Sequence, residues 1–166
     1  TNRMEEIVSY QLQRATGGGA RLLQRVSVAP VLERLRSSLL KVYATRDLDI
    51  QLLVEAGCTF RGDERDLMEM LGNLMDNACK YAQRRIRISA AGGEEHPLDI
   101  IVEDDGPGVA PALCRAILQR GFRADSRGEG QGIGLSVTAD IAASYQGSLA
   151  IDSGGQGGAR VRLRFD

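Results

Sequence analysis

Glu69, Asn73, Asn77 and Lys80 recur at intervals of four, four and three residues. On a helix advancing ~100° per residue they fall within roughly 80° of one another, forming a single polar stripe. The apolar Leu67, Leu71, Leu74 and Ala78 centre on the opposite side, so the core lies there and the stripe faces something else. A solvated helix face is the plain alternative. Two asparagines in mid-helix argue against it, because Asn is a poor helix former and gains nothing by recurring one turn apart on a wet surface. An Asn carboxamide offers a neutral oxygen to a hard cation, and Lys80 offers a compact positive charge to phosphate oxygens. A magnesium polyphosphate would use the whole stripe.

Two further segments carry residues suited to the same ligand. Asp104 continues the parity of Leu98, Ile100 and Val102, which places its carboxyl on the covered face of a sheet just where the strand ends. A carboxylate there needs a donor, and the amino group of a purine is one. The following Asp105-Gly106-Pro107-Gly108 allows backbone to approach a flat ligand closely, although an ordinary turn with an exposed Asp would also have this composition. Gly128, Gly130, Gly132 and Gly134 lead into a helix expected to begin near Gly134-Leu135-Ser136. Such an approach offers unpaired N–H groups and the positive end of the helix dipole to an anion. Taken alone, a glycine-rich run fits a flexible linker equally well. No GK[ST] follows, so it is not a Walker A loop, and no strand precedes it as a dinucleotide-binding fingerprint requires.

The elements that position these residues follow from periodicity. Residues 2–15 have Met4, Ile7, Val8 and Leu12 on one side of a helix that ends at Gly17 to Gly19. After Pro30, Val31, Leu32, Leu35, Leu39 and Val42 give a second helix, and Asp63 opens a third that runs to about Lys80. Alternation predicts strands over 48–55, 85–90, 98–104 and 159–166. In the last, Ala159, Val161, Leu163 and Phe165 alternate with Arg160, Arg162, Arg164 and Asp166. Strands with one apolar and one charged face form mostly antiparallel sheets wetted on one side. The expected fold is therefore a two-layer α/β (α+β) sandwich: a mixed, mostly antiparallel sheet covered on one face by about three helices, the last showing Leu135, Ala139, Ala142 and Tyr145. The stretch 106–132, with Arg115, Arg120, Arg123 and Arg127, is weakly periodic and is expected to be a functional loop.

Bulk properties remove several function classes. The chain has 166 residues and 43% apolar content, enough for one domain with a real core. Lys+Arg 21 against Asp+Glu 22 leaves a formal net charge of -1, so the excess positive charge that drives binding to nucleic acid is missing. Cys58, Cys79 and Cys114 stand far apart, suggesting neither a disulfide framework nor a zinc site. No apolar run approaches the ~20 residues that cross a bilayer. The chain opens on Thr1 with no leader pattern and is expected to be a soluble, monomeric piece of a longer protein.

Together these segments resemble the ATP-binding catalytic domain of bacterial sensor histidine kinases. Glu69-Met70-Leu71-Gly72-Asn73-Leu74-Met75-Asp76-Asn77-Ala78-Cys79-Lys80-Tyr81 resembles the family's N box. Asp104-Asp105-Gly106-Pro107-Gly108 resembles the G1 box and Phe122 the F box, while Gly130-Gln131-Gly132-Ile133-Gly134-Leu135 resembles the G2 box and Gly157-Gly158-Ala159 a terminal glycine motif. The wording is most similar to the PhoQ-type kinases. The resemblance implies the Bergerat fold, shared with the heat-shock chaperone, MutL and gyrase ATPases, and ATP and Mg2+ as cofactors. It assigns Asn73 and Gln131 to the metal, Asn77 and Lys80 to phosphates, Tyr81 to the nucleoside, Asp104 to the adenine amino group, and Gly106, Gly108 and Val109 to the base. Gly130, Gly132, Ile133, Gly134 and Leu135 become the phosphate-facing edge of a lid spanning about 106–132. Glu69 takes the place of an acid proposed as general base, and Arg123 that of a lid arginine near the γ-phosphate.

The reaction implied is transfer of the γ-phosphoryl of ATP to a histidine on a separate dimerisation domain, followed by a response regulator as the next partner. Residues 1–19 would be the end of a dimerisation helix with its linker, and 20–166 the catalytic domain. The whole protein would be a homodimer in the inner membrane with this portion in the cytoplasm. His96, the single histidine, lies between two expected strands and outside every nucleotide motif, so it is read as an exposed hairpin residue. Two alternatives remain at this stage: a related ATPase module that changes conformation without a histidine acceptor, and a docking module that holds ATP or nothing.

Overall fold

The computed structural model describes residues 24–108, 131–153 and 157–166, with the side chains of 131–133 and 153 left aside. The expected helix over 2–15, the 1–19 remnant, and Val109, Phe122, Arg123 and Gly130 lie outside the described residues.

The chain runs β1 (Arg25–Ser27), α1 (Val28–Val42), a 3-10 turn (Ala44–Arg46), β2 (Asp49–Val54), β3 (Thr59–Arg61), α2 (Glu64–Tyr81), β4 (Arg85–Ala91), β5 (Leu98–Asp104), α3 (Gln131–Ser144), β6 (Gly147–Ser153) and β7 (Ala159–Phe165). Five strands form one sheet in the order β2-β4-β5-β7-β6. Only the β2–β4 pairing is parallel, and the other three pairings are antiparallel. β1 and β3 make a separate antiparallel pair. The three helices pack on one face of the large sheet, as the alternation predicts.

That face is built by parity. Ile88 pairs with Val102, and Val102 in turn with Val161, while Ile100 pairs with Leu163; all are buried with Leu67, Leu71 and Leu74 of α2. The opposite face carries charge: Arg162 grips both oxygens of Asp99 at 2.8 and 2.6 Å, and Arg160 those of Asp152 at 2.7 and 3.0 Å. Exposed pairs of this kind contribute little stability.

α2 starts where its cap requires. The Asp63 side chain accepts from the Arg65 N–H at 2.8 Å, and Glu64 and Asp66 occupy the first turn with Lys80 in the last, matching the helix dipole. At the other end the Asp105 carboxylate accepts from the N–H groups of Gln83 and Arg84 at 2.8 and 3.0 Å. Burial alone would raise this carboxyl, but the N–H groups of Arg84, Arg85 and Gln83 hold it below its ordinary 3.8. The end of α2 is thereby tied to the turn after β5.

Two expectations are corrected. α3 begins at Gln131, so Gly132 and Gly134 lie within its first turn instead of preceding it; first-turn N–H groups need no partner inside the helix, and glycine is tolerated there. Its buried side is also wider than the stripe of Leu135, Ala139, Ala142 and Tyr145. Leu135, Ser136, Val137, Thr138, Ile141 and Ala142 are all buried, because this helix is covered by α2 as well as by the sheet, and Tyr145 lies just past its end.

Candidate functional site

The three segments singled out by residue type meet at one end of the sheet, around the C-terminal half of α2. A Cβ added to Gly106 would lie 2.2 Å from the Tyr81 carbonyl oxygen, so the turn after β5 presses against the last residue of α2. A Cβ on Gly158 would lie 2.1 Å from the Asp104 carbonyl, which brings the start of β7 onto the same turn. The side-chain amide of Asn73 reaches the Gly134 carbonyl at 3.2 Å, fixing the first turn of α3 against α2.

Asp104 is 5% exposed. Its Oδ1 accepts from the N–H groups of Gly106 at 2.9 Å and Ala159 at 3.3 Å. Burial nevertheless raises its carboxyl above the ordinary 3.8, against those two N–H groups, with Asp105 adding to the rise. Two backbone donors hold Oδ1 in place, and none of the described residues donates to Oδ2.

On α2, Glu69 and Lys80 are exposed, while Asn73, Asn77 and Tyr81 are half-buried. Asn73 donates from Nδ2 to the Gly134 carbonyl and to Thr138 Oγ1 at 3.3 Å. Asn77 Oδ1 is buried and accepts no hydrogen bond from the described residues. A buried carboxamide oxygen without a donor costs ~1–3 kcal/mol, and a hard cation or a ligand donor would offset that. Lys80 is engaged: its Nζ lies 3.2 Å from Asp76 Oδ2, and Asp76 Oδ1 accepts from the Tyr43 hydroxyl at 2.7 Å. Burial, followed by that hydrogen bond, raises the Tyr43 hydroxyl well above its ordinary 10.0. The Asp76 pairing was not read from the sequence, although its i, i+4 relation to Lys80 was there to be seen.

The structure thus brings Asn73, Asn77, Lys80, Tyr81, Asp104, Gly106, Gly108 and Gly134 to one end of the fold. The Leu135 side chain packs in the core at 5% exposure, leaving its backbone alone to face a ligand. Gln131, Gly132 and Ile133 are placed by backbone at the N-terminus of α3. Glu69 sits one turn before Asn73 on the same side of α2. His96 is exposed in the hairpin between β4 and β5, at the opposite end of the sheet. A cleft of about 530 Å3 opens beside it, lined by Phe60, Tyr145, Phe165 and residues of the hairpin, and none of the predicted site residues reaches it.

Sequence comparison identifies this arrangement. Residues 62–166 match the family described as histidine kinase-, DNA gyrase B- and HSP90-like ATPase. The chain belongs to that family. Membership makes it an ATP-binding domain of the Bergerat type. Sensor protein PhoQ of Escherichia coli K12 is 40% identical over 166 residues, covering 99% of this chain and 34% of the relative. The chain thus spans about a third of the length of the curated relatives it matches. Among solved structures, the mycobacterial sensor histidine kinase MprB superposes with a TM-score of 0.75 at 20% identity, covering 86% of this chain and 96% of that one. The ATP-binding domain of PrrB from Mycobacterium tuberculosis superposes with a TM-score of 0.70 at 24% identity, covering 86% and 95%; both likenesses concern the fold. Among the described residues no helix is long and apolar enough to cross a membrane.

Proposed function

We propose that this chain is the catalytic domain of a PhoQ-type sensor histidine kinase, binding Mg-ATP and passing its γ-phosphoryl group to a histidine on the dimerisation domain of the same protein. The observation that carries the reading is the buried, unpartnered Asn77 Oδ1, one turn from an Asn73 amide whose nitrogen is already committed to α3. Two carboxamide oxygens next to a helix N-terminus fit a hard cation and the phosphates it carries.

In this reading Asn73 and Gln131 would hold the metal, and Asn77 would face metal and phosphate. Bound magnesium would neutralise charge on the phosphate oxygens. The N–H groups at the start of α3, at Gln131, Gly132, Ile133 and Gly134, receive phosphate oxygens. Lys80 exchanges its contact with Asp76 for the phosphates. Asp104 Oδ2 accepts from the adenine amino group, with Gly106, Gly108 and Val109 against the base and Tyr81 beside the nucleoside. Arg123 attends the γ-phosphate, and Glu69 serves as base toward the incoming imidazole. The transfer forms a bond from the γ-phosphorus to an imidazole nitrogen, breaks the bond to the β,γ-bridging oxygen, and releases ADP; it depends on positioning and charge neutralisation. His96 does not serve as acceptor, since strand β5 separates its hairpin from Asp104 by ~20 Å at 3.3 Å per residue.

Residues 20–166 form the catalytic domain with its lid over about 106–132, and 1–19 end a dimerisation helix. The whole protein is a homodimer anchored in the inner membrane with this portion in the cytoplasm, and a response regulator takes the phosphoryl group from the histidine. The test is incubation with γ-labelled ATP, Mg2+ and a dimerisation domain bearing its histidine. Acid-labile label on that histidine is expected. Label recovered only as free phosphate would show an ATPase module in place of a kinase.

A further inference from the structure

Thr138 is 0% exposed and polar, lies on the side of α3 that faces α2, and belongs to none of the nucleotide motifs. Its hydroxyl donates to the Gly134 carbonyl one turn earlier at 2.9 Å and accepts from Asn73 Nδ2 at 3.3 Å. The same Nδ2 donates to the Gly134 carbonyl at 3.2 Å. The two acceptors stand only 2.9 Å apart, so they share one hydrogen of the carboxamide nitrogen in a bifurcated bond. No described group donates to Asn73 Oδ1.

The arrangement fixes which way the amide faces. A rotation by 180° would set Asn73 Oδ1 against the Gly134 carbonyl, which has no hydrogen to give, and against a Thr138 oxygen whose one hydrogen would have to leave that carbonyl to reach it. The rotated amide would therefore meet one oxygen with no donor between them and would cost the Thr138–Gly134 bond. The upright amide gives both oxygens a donor and keeps its own oxygen off them, and Asn77 stands one turn further along α2 on the same side of that helix.

We infer that Thr138 is a positioning residue: with the Gly134 carbonyl it locks the Asn73 carboxamide so that its oxygen, and not its nitrogen, is presented to the cation accompanying the nucleotide. The inference rests on the metal reading proposed above. Both acceptors, the Gly134 carbonyl and the Thr138 hydroxyl, lie on α3, so the amide is held only while α3 packs against α2. Any shift of α3 away from α2 releases the amide and weakens the metal contact.

The experiment compares the wild-type chain with Thr138→Val, which removes the hydroxyl at nearly constant shape, and with Thr138→Ser, which keeps it. A non-hydrolysable ATP analogue is titrated by calorimetry with and without Mg2+, and thermal unfolding is recorded for each protein. Expected is a two- to fivefold loss of the Mg2+-dependent gain in affinity for Thr138→Val, with the Mg2+-free affinity unchanged and Thr138→Ser behaving as wild type. If Thr138→Val does not fold, the contrast between Thr138→Ser and Thr138→Ala supplies the same comparison. A Val or Ala variant that keeps the full Mg2+-dependent gain overturns the inference, as does a loss that Ser shares, which would make the residue a packing group. A wild-type chain that gains nothing from Mg2+ removes the metal reading itself, and this inference with it.

Discussion

Asp104 performs two duties that a pair of substitutions separates. Its Oδ1 accepts from the N–H groups of Gly106 and Ala159 at 2.9 and 3.3 Å, and its Oδ2 is assigned to the adenine amino group. Asp104→Asn keeps a carbonyl oxygen for both N–H groups and removes a buried charge that the fold disfavours, so the melting temperature at neutral pH should equal or exceed that of the wild type. The nucleotide then meets an NH2 where it needs an acceptor. Losing a hydrogen bond to a charged group costs ~1.5–3 kcal/mol, a rise of about 10- to 150-fold in Kd. Asp104→Ala instead leaves two buried N–H groups without an acceptor, at ~1–3 kcal/mol each and together ~2–6 kcal/mol of stability. Scanning calorimetry and titration with an ATP analogue read the two effects separately. An Asn variant that binds within twofold of wild type, or that loses as much stability as the Ala variant, refutes the reasoning.

Three further outcomes follow from the same packing. Gly106→Ala, whose Cβ would lie 2.2 Å from the Tyr81 carbonyl, should destabilise by ~1–3 kcal/mol or more, while Gly72→Ala, whose Cβ would meet only Leu35 at 3.6 Å, should stabilise by ~0.5–1 kcal/mol; urea titration compares them. Asp66, 2% exposed, is raised above its ordinary 3.8 by burial and by Glu69, against the Tyr145 hydroxyl that donates to it. The folded state then binds the Asp66 proton more tightly than the unfolded chain, so this group's contribution to stability falls as pH rises from its unfolded value through its folded one. Thermal melts between about pH 4 and 7 should show the advantage of Asp66→Asn over wild type growing with pH, and a shrinking advantage would reverse the assignment. Burial pushes the Cys58 and Cys79 thiols up to about 11. In a Cys114→Ser background at pH 8, about one thiol in a thousand would be ionised, and both should label with a disulfide reagent far more slowly than after unfolding.

What the sequence made legible was what periodicity governs. α2 carried an apolar side, a polar side and an Asp cap, and its bounds lie within a residue of expectation. Parity alone put Asp104 on the covered face of β5, and it is 5% exposed. β1 and β3 are three residues each, too short for alternation to register, and β3 is held by pairing to β1 across more than thirty residues. β6 was overlooked although Leu149 and Ile151 alternate, because Ala150 blurs the contrast between its faces. The start of α3 was misplaced because Gly132 and Gly134 look like helix breakers locally, and the burial of Leu135 and Val137 overrides that preference. Thr138 gave no signal, since its partner Asn73 is 65 residues away and a hydroxyl in mid-helix ordinarily satisfies itself on its own backbone.

The most direct measurement places the nucleotide. A Mn2+ complex of a non-hydrolysable ATP analogue, titrated into the isotopically labelled chain, broadens the NMR signals nearest the metal. The side-chain amides of Asn73 and Asn77 and the backbone amide of Gly134 should vanish first, with the hairpin signals of Gly93 and His96 unchanged. Broadening centred instead on the cleft lined by Phe60, Tyr145 and Phe165 would contradict the site.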